Sequence, residues 1–311
     1  MSYTNQRIAY GNALVQLGRE NRNIVALEAD LGKSTMSHMF QQEFPDRYFE
    51  MGIAEQNMAS TAAGLSLTGK IPFIHSFAVF STGRAFDQIR QTISIGRLNV
   101  NICGSSAGLS DFGDGSTHQS VEDIAIMRAI PNMTVFCPVD ANETGKVVRA
   151  MAEIDGPCYI RINRNDYENV TSEDTPFQVG MPTVLKDGSD IAVFAIGIMA
   201  VKALEAAKAL EGKISLKVIN VSTIKPLNAQ AIIDMAKDCK AVITAEEHNI
   251  IGGLGSGIAQ ALSKECKPIE FIGINDTFGC SAHSYDELLD YFDLTPESII
   301  QAAQRLNKSK Y

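Results

Sequence analysis

Glu55 lies in the run Gly52-Ile53-Ala54-Glu55-Gln56-Asn57, at the mouth of a helix rich in Ala, Gly and Ser. After it come a short apolar strand at residues 71–74 and two phenylalanines, Phe77 and Phe80. A carboxylate in apolar surroundings beside aromatic faces can grip a flat heterocycle and move a proton on it. Two plainer readings compete. Glu55 can be a first-turn glutamate favoured by the helix dipole, and the phenylalanines can be core residues at i, i+3 spacing. Position and type alone leave these readings open.

Other patterns are weaker. Gly104-Ser105-Ser106-Ala107-Gly108 fits G-x-S-x-G, but a nucleophile elbow needs a helix directly after its serine. Here more Gly, Ser and Asp follow. The glycines at 252, 253, 255 and 257 do not form G-x-G-x-x-G. They read as a helix-entry turn lining a domain interface. The six cysteines form no C-x-x-C pair and the five histidines no close pair of ligand spacing. Cys103, Cys137 and Cys158 sit in or beside apolar runs, which suits buried thiols in a reducing cytoplasm.

The elements that must hold these residues alternate along the chain. Helices are expected over 4–20 (capped by Thr4 or Asn5), 36–43, 55–67, within 84–96, and over 121–129 and 142–154. Strands are expected over 23–28, 71–74, 98–103, 134–137 and 158–162. Residues 104–120 form a polar, glycine-rich loop long enough to suggest function. From 163 to 190 the chain turns polar and reads as a connection. The alternation then restarts, with strands over 191–196, 215–221, 241–245 and 269–272 and helices over 200–210, 229–236, after the glycine cluster, near 286–292 and over 296–305. This is the pattern of two α/β domains, each with a mostly parallel sheet covered by helices. With 311 residues, 45% hydrophobic and 20% charged, the chain is of two-domain size. A net charge of −9 without a Lys/Arg cluster argues against nucleic acid or an anionic membrane as partner. No apolar run approaches a membrane span.

The string from Tyr48 to Ile95 resembles the pyrimidine-binding segment of transketolases and, less closely, that of 1-deoxyxylulose-5-phosphate synthases. Both are thiamine diphosphate enzymes. The likeness continues through Ser105-Ser106-Ala107-Gly108-Leu109-Ser110-Asp111-Phe112-Gly113-Asp114-Gly115-Ser116-Thr117-His118-Gln119 and Tyr159-Ile160-Arg161-Ile162-Asn163-Arg164, and covers most of residues 5–300. It implies a pyrimidine-binding-like domain over 1–175, a linker over 176–190 and a smaller transketolase C-terminal α/β domain over 191–311.

The resemblance also implies roles. Glu55 would bond the aminopyrimidine ring nitrogen of thiamine diphosphate and serve catalysis there, with Phe77 and Phe80 walling the ring. Asp114 and His118 would contact the sugar, and His118 would help proton transfer. Arg7, Ser34 and Arg164 match positions that hold a sugar phosphate, and two guanidinium groups with a hydroxyl suit that anion. Gly113-Asp114-Gly115 with Asn142 imitates the G-D-G…N signature for Mg²⁺ and diphosphate. It falls inside the substrate-loop likeness, so no metal ligand is expected in this chain.

The chain begins where the second domain of a full-length transketolase would begin. The expectation is therefore the C-terminal subunit of a split, cytoplasmic transketolase, transferring a two-carbon ketol unit from a ketose phosphate to an aldose. An N-terminal partner would carry the Mg²⁺ and diphosphate site in an α2β2 assembly. Two departures stand out. Ser106 replaces a usual family histidine, and Ser81-Thr82-Gly83 lacks a usual third aromatic. The rival readings are the β subunit of a 2-oxo acid dehydrogenase, a deoxyxylulose phosphate synthase, and a non-catalytic scaffold. The loop and the phosphate set oppose the first, an undivided chain in that family the second, and Glu55 the third.

Overall fold

Seven strands form the first sheet, in the order Thr223–Lys225, Thr134–Phe136, Cys158–Arg161, Asn101–Ser105, Ile71–Phe77, Ile24–Glu28, Tyr48–Glu50. All neighbours run parallel except the first pair. The second sheet has five strands, in the order Ile269–Ile274, Ala241–Asn249, Ile191–Ala195, Leu216–Asn220, Thr183–Lys186, with only the last pair antiparallel. This computed structural model describes residues 3–308. Helices on both faces explain why central strands read as continuous apolar runs: every residue of Ile24–Glu28 and of Ile191–Ala195 is buried.

The two α/β units share a core. One apolar cluster joins Val135 and Cys137 of the first unit to Phe194, Ile219 and Ile224 of the second. The strand Thr223–Lys225, which the sequence reading missed, comes from the second unit and closes an edge of the first sheet. Its short polar sequence gives no alternation to detect.

Strand order decides which loops meet. In an open parallel sheet the carboxyl ends of the strands face a common crevice. There Ile24–Glu28 delivers the loop with Ser34, Tyr48–Glu50 the turn into Glu55, and Ile71–Phe77 the ring of Phe77. Asn101–Ser105 delivers the Gly-rich loop and Cys158–Arg161 delivers Arg164. Phe77 lies in register with Ser105, so the loop leaves the sheet beside the ring.

Several expected boundaries shift. The helix expected over 36–43 is two pieces, Gly32–Thr35 and His38–Glu43, interrupted by Met36 at φ 64°. The segment 84–96 holds a short helix, Phe86–Gln88, and a π-helical turn, Ile89–Ser94. The polar stretch 163–190 carries two edge strands: Asp166–Glu168, paired with Tyr3–Asn5, and Thr183–Lys186. Edge strands are short and half solvated, so their polarity hides them. Asn5 is the helix cap, its side chain accepting from Arg7 N–H.

Candidate functional site

The helix Glu55–Leu67 presents Ala59, Ala62 and Ala63, all fully buried, so its backbone lies close to the sheet and its N-terminus sits at the crevice. Gly52, at φ 67°, makes the turn that leads into it. Glu55 in the first turn is only 4% exposed. Its setting is not purely apolar, contrary to the sequence reading. Arg84 Nη1 donates to Glu55 Oε1 at 3.0 Å, while the guanidinium carbon lies 4.1 Å from the Phe80 ring centroid. Arg84 is the one side chain that bonds the carboxylate among the described residues, which leaves Oε2 open.

Phe77 ends a strand and Phe80 sits in the short helix Ala78–Gly83. The rings stack at 6.0 Å with an interplanar angle of 13°. They are not equivalent: Phe77 is buried, whereas Phe80 is half-buried and offers the accessible ring. His118 sets its edge against both, at 6.2 Å from Phe77 and 5.3 Å from Phe80. Its Nδ1 lies 2.9 Å from the Thr117 hydroxyl, leaving Nε2 as the other proton-carrying position. One locus therefore gathers Glu55, Phe77, Phe80 and His118.

A second group gathers two cations. Arg7 Nη1 donates to the Ser34 carbonyl oxygen at 2.8 Å, and Arg7 Nε is buried with no acceptor. Burial, then the charge of Arg164, lowers the Arg7 pKa. Arg164 Nη1 donates to Asp111 Oδ2 at 2.5 Å. Two guanidinium groups close enough to repel, one with an unmet buried N–H, suit an added anion. Ser34 enters this group through its backbone rather than its hydroxyl. Asp111 was passed over in the sequence, where Asp114 drew attention; the D-F-G-D spacing holds both. Asp114 is exposed, and its carboxylate has no partner among the described residues.

The remaining motifs resolve into structure. Ser106 takes φ 50° with its hydroxyl buried and unpartnered, but loop follows it and the next α-helix begins at Asp123. The glycine cluster is a helix-entry turn at the interface of the two units. Glu246 accepts from Leu254 N–H at 2.7 Å and Gly255 N–H at 2.8 Å, and Arg128 donates to the carbonyls of Gly252 and Gly253. His75 and His248 are fully buried, which pushes both down to about 4. All six cysteines are free; Cys103, Cys137, Cys158 and Cys239 are buried and Cys266 is exposed. Among the described residues no group of three or more His, Cys, Asp or Glu side chains is placed to hold a metal ion. Nor is any helix among them long and apolar enough to cross a membrane.

Comparison with known proteins gives consistent matches. Residues 3–169 match the family described as transketolase, pyrimidine binding domain, and residues 180–299 match transketolase, C-terminal domain. A putative transketolase C-terminal section of Methanocaldococcus jannaschii is 45% identical over 304 residues, covering 96% of this chain and 94% of the relative. A 6-deoxy-6-sulfo-D-fructose transketolase subunit of Clostridium sp. (strain MSTE9) is 39% identical, covering 98% and 95%. A solved structure described as split gene transketolase, inactive beta4 tetramer, superposes with a TM-score of 0.89 at 46% identity, covering 98% of both chains. Against the Homo sapiens transketolase, 37% identical, the chain spans 48% of the relative's length.

Proposed function

The chain belongs to the transketolase family, and from that premise we propose that it is the C-terminal subunit of a split, thiamine diphosphate-dependent transketolase. The carrying observation is the joint placement of buried Glu55, the Phe77–Phe80 stack and the edge-on His118 in one crevice. We assign residues 1–175 to pyrimidine binding, 176–190 to the connection, which carries the edge strand Thr183–Lys186 of the second sheet, and 191–311 to the C-terminal domain.

The residues fit an aminopyrimidine. Glu55 has one oxygen fixed by Arg84 and one open to a ring N–H. Phe80 supplies a half-buried aromatic ring, with Phe77 stacked on it and the Arg84 guanidinium over it. When bound, thiamine diphosphate would supply a nucleophilic carbon and an electron sink for transfer of a two-carbon unit. In this reading Glu55 holds a proton at the pyrimidine ring nitrogen, and the aromatic pair orients the ring and excludes water. His118 takes a proton from the sugar hydroxyl as the donor cleaves and returns one as the acceptor oxygen forms. Asp114 bonds a sugar hydroxyl. Arg7, Arg164 and the Ser34 segment hold the terminal phosphate, with Asp111 limiting the mobility of Arg164.

The partner in this reading is an N-terminal transketolase subunit that ligands Mg²⁺ and the diphosphate, in an α2β2 assembly in the cytoplasm. Support comes from the names of the relatives. The test is ketol transfer between sugar phosphates by the chain with and without that partner, and with Glu55→Gln.

A further inference from the structure

We infer that the second unit takes part in the reaction by clamping the Gly-rich loop, with Glu247 as the positioning residue. This rests on the reading in which Asp114 and His118 of that loop meet the sugar.

The loop has little structure of its own. Its neck is a bridge between Gly108 and Ser120, closed by two backbone hydrogen bonds of 2.8 and 3.1 Å. Between them lies one 3-10 turn, Gly115–Thr117. Such a segment would sample many conformers unless held from outside. Three holds come from the second unit.

At the neck, Glu247 of the strand Ala241–Asn249 is 3% exposed, and its Oε1 accepts from Leu109 N–H at 2.8 Å. Gly108 packs so tightly there that a Cβ would stand 2.5 Å from Glu247 Cδ, and its φ is +64°. The carboxylate is itself fixed: Asn163 Nδ2 donates to its Oε2 at 3.4 Å and to the Tyr285 hydroxyl oxygen at 2.7 Å.

At the return of the loop, Arg161 Nη2 donates to the Glu247 carbonyl at 2.7 Å and to the Ser120 carbonyl at 3.4 Å. Its Nε donates to Asp123 at 3.0 and 3.1 Å. Asn249 N–H then reaches the Val121 carbonyl at 2.7 Å.

At the tip, Ala282 N–H donates to the Phe112 carbonyl at 2.9 Å, and Gln119 Nε2 donates to the Cys280 carbonyl at 3.0 Å. A Cβ on Gly115 would stand 2.3 Å from Ser281 Oγ. The stretch between neck and tip carries Asp111, Asp114 and His118, the residues that must keep fixed positions toward Arg164 and the Phe80 ring. A small displacement of such groups is costly to rate.

The test is amide hydrogen exchange on the full chain, which needs neither cofactor nor partner. Glu247→Ala removes the acceptor at the neck, and Gln119→Leu independently removes the bond at the tip, together with the 3.2 Å bond of Gln119 Nε2 to the Asp111 carbonyl inside the loop. The expected result is exchange at residues 109–119 faster by roughly tenfold or more in each. The strands Ile24–Glu28 and Ile191–Ala195 should stay at wild-type rates, and Glu247→Gln should recover most of the protection. In the reconstituted enzyme, Glu247→Ala should raise the ketose KM about tenfold more than Glu247→Gln does. Unchanged loop exchange in both variants, or uniform acceleration across both sheets, overturns the clamp. A reconstituted enzyme silent toward every sugar phosphate sinks the functional reading instead, while the exchange result still decides the clamp.

Discussion

Arg84 donates to Glu55 at 3.0 Å while covering the ring of Phe80, so one exposed cation ties the buried carboxylate to the accessible aromatic face. Glu55→Gln preserves the shape and the acceptor for Arg84 but removes the exchangeable acid proton. Ketol transfer should fall by about 10²–10⁴-fold. The thermal midpoint should stay near wild type, which melting of the purified variant checks alongside steady-state kinetics.

Arg84→Met tests the tie itself. Arg84 is half exposed but Glu55 is buried with no other side-chain partner among the described residues, so the variant should lose about 1–3 kcal/mol. Loss of orientation of the carboxylate should also weaken thiamine diphosphate binding roughly tenfold, read by titrating cofactor against activity of the complex. Unchanged cofactor binding would remove Arg84 from the site.

Arg164→Ala should discriminate among sugars. A charge-assisted hydrogen bond is worth about 1.5–3 kcal/mol, so the KM for a phosphorylated ketose should rise roughly 10- to 100-fold. An unphosphorylated ketose should be little affected. A sulfonated ketose belongs in the same comparison, because one relative is described as a 6-deoxy-6-sulfo-D-fructose transketolase subunit. Equal effects on charged and uncharged sugars would contradict an anion role for Arg7 and Arg164.

Glu28 and Glu50 predict a pH dependence. Glu28 is fully buried, and burial and then its contact with Glu50 push it up to about 8. Glu50 is held by Asp30 and Gly52 N–H groups. Tyr48, Asp30, Lys33 and His38 line the same cavity. Because the folded-state pKa is raised, the folded chain binds the extra proton, and its contribution to stability is lost as pH rises through about 8. Between pH 7 and 8.5 the thermal midpoint should fall, and Glu28→Gln should flatten that slope. His75 and His248, held at about 4, act in a lower window, losing stability as pH falls from about 6.5.

Asp123→Asn tests the buried ion pair of the first unit that fixes Arg161, whose Nη2 reaches the Glu247 carbonyl of the second unit. Asp123 is fully buried and pairs with Arg161 while accepting from the Tyr159 hydroxyl at 2.7 Å. Removing one partner of a buried pair typically costs about 3–5 kcal/mol, measurable by denaturant unfolding.

Much of this was legible from local pattern. Residues 55–67 and 229–236 have the helix bounds expected of them, because Ala-rich and amphipathic periodicity is local. What escaped is long-range. Nothing near Arg84 in sequence points to Glu55, and Glu247 meets Leu109 only through folding. Asp111 was overlooked because its partner Arg164 lies on another strand's loop. The edge strand Thr183–Lys186 stayed hidden because an edge needs no buried face, and Thr223–Lys225, although Ile224 is buried, because three residues are too few to show a period.

The most direct measurement is ketol transfer from xylulose 5-phosphate to ribose 5-phosphate, with thiamine diphosphate and Mg²⁺, by this chain alone and with the proposed N-terminal partner subunit. The account predicts turnover only in the mixture, abolished by Glu55→Gln. Turnover by the chain alone, or by a mixture carrying Glu55→Gln at the wild-type rate, would contradict it.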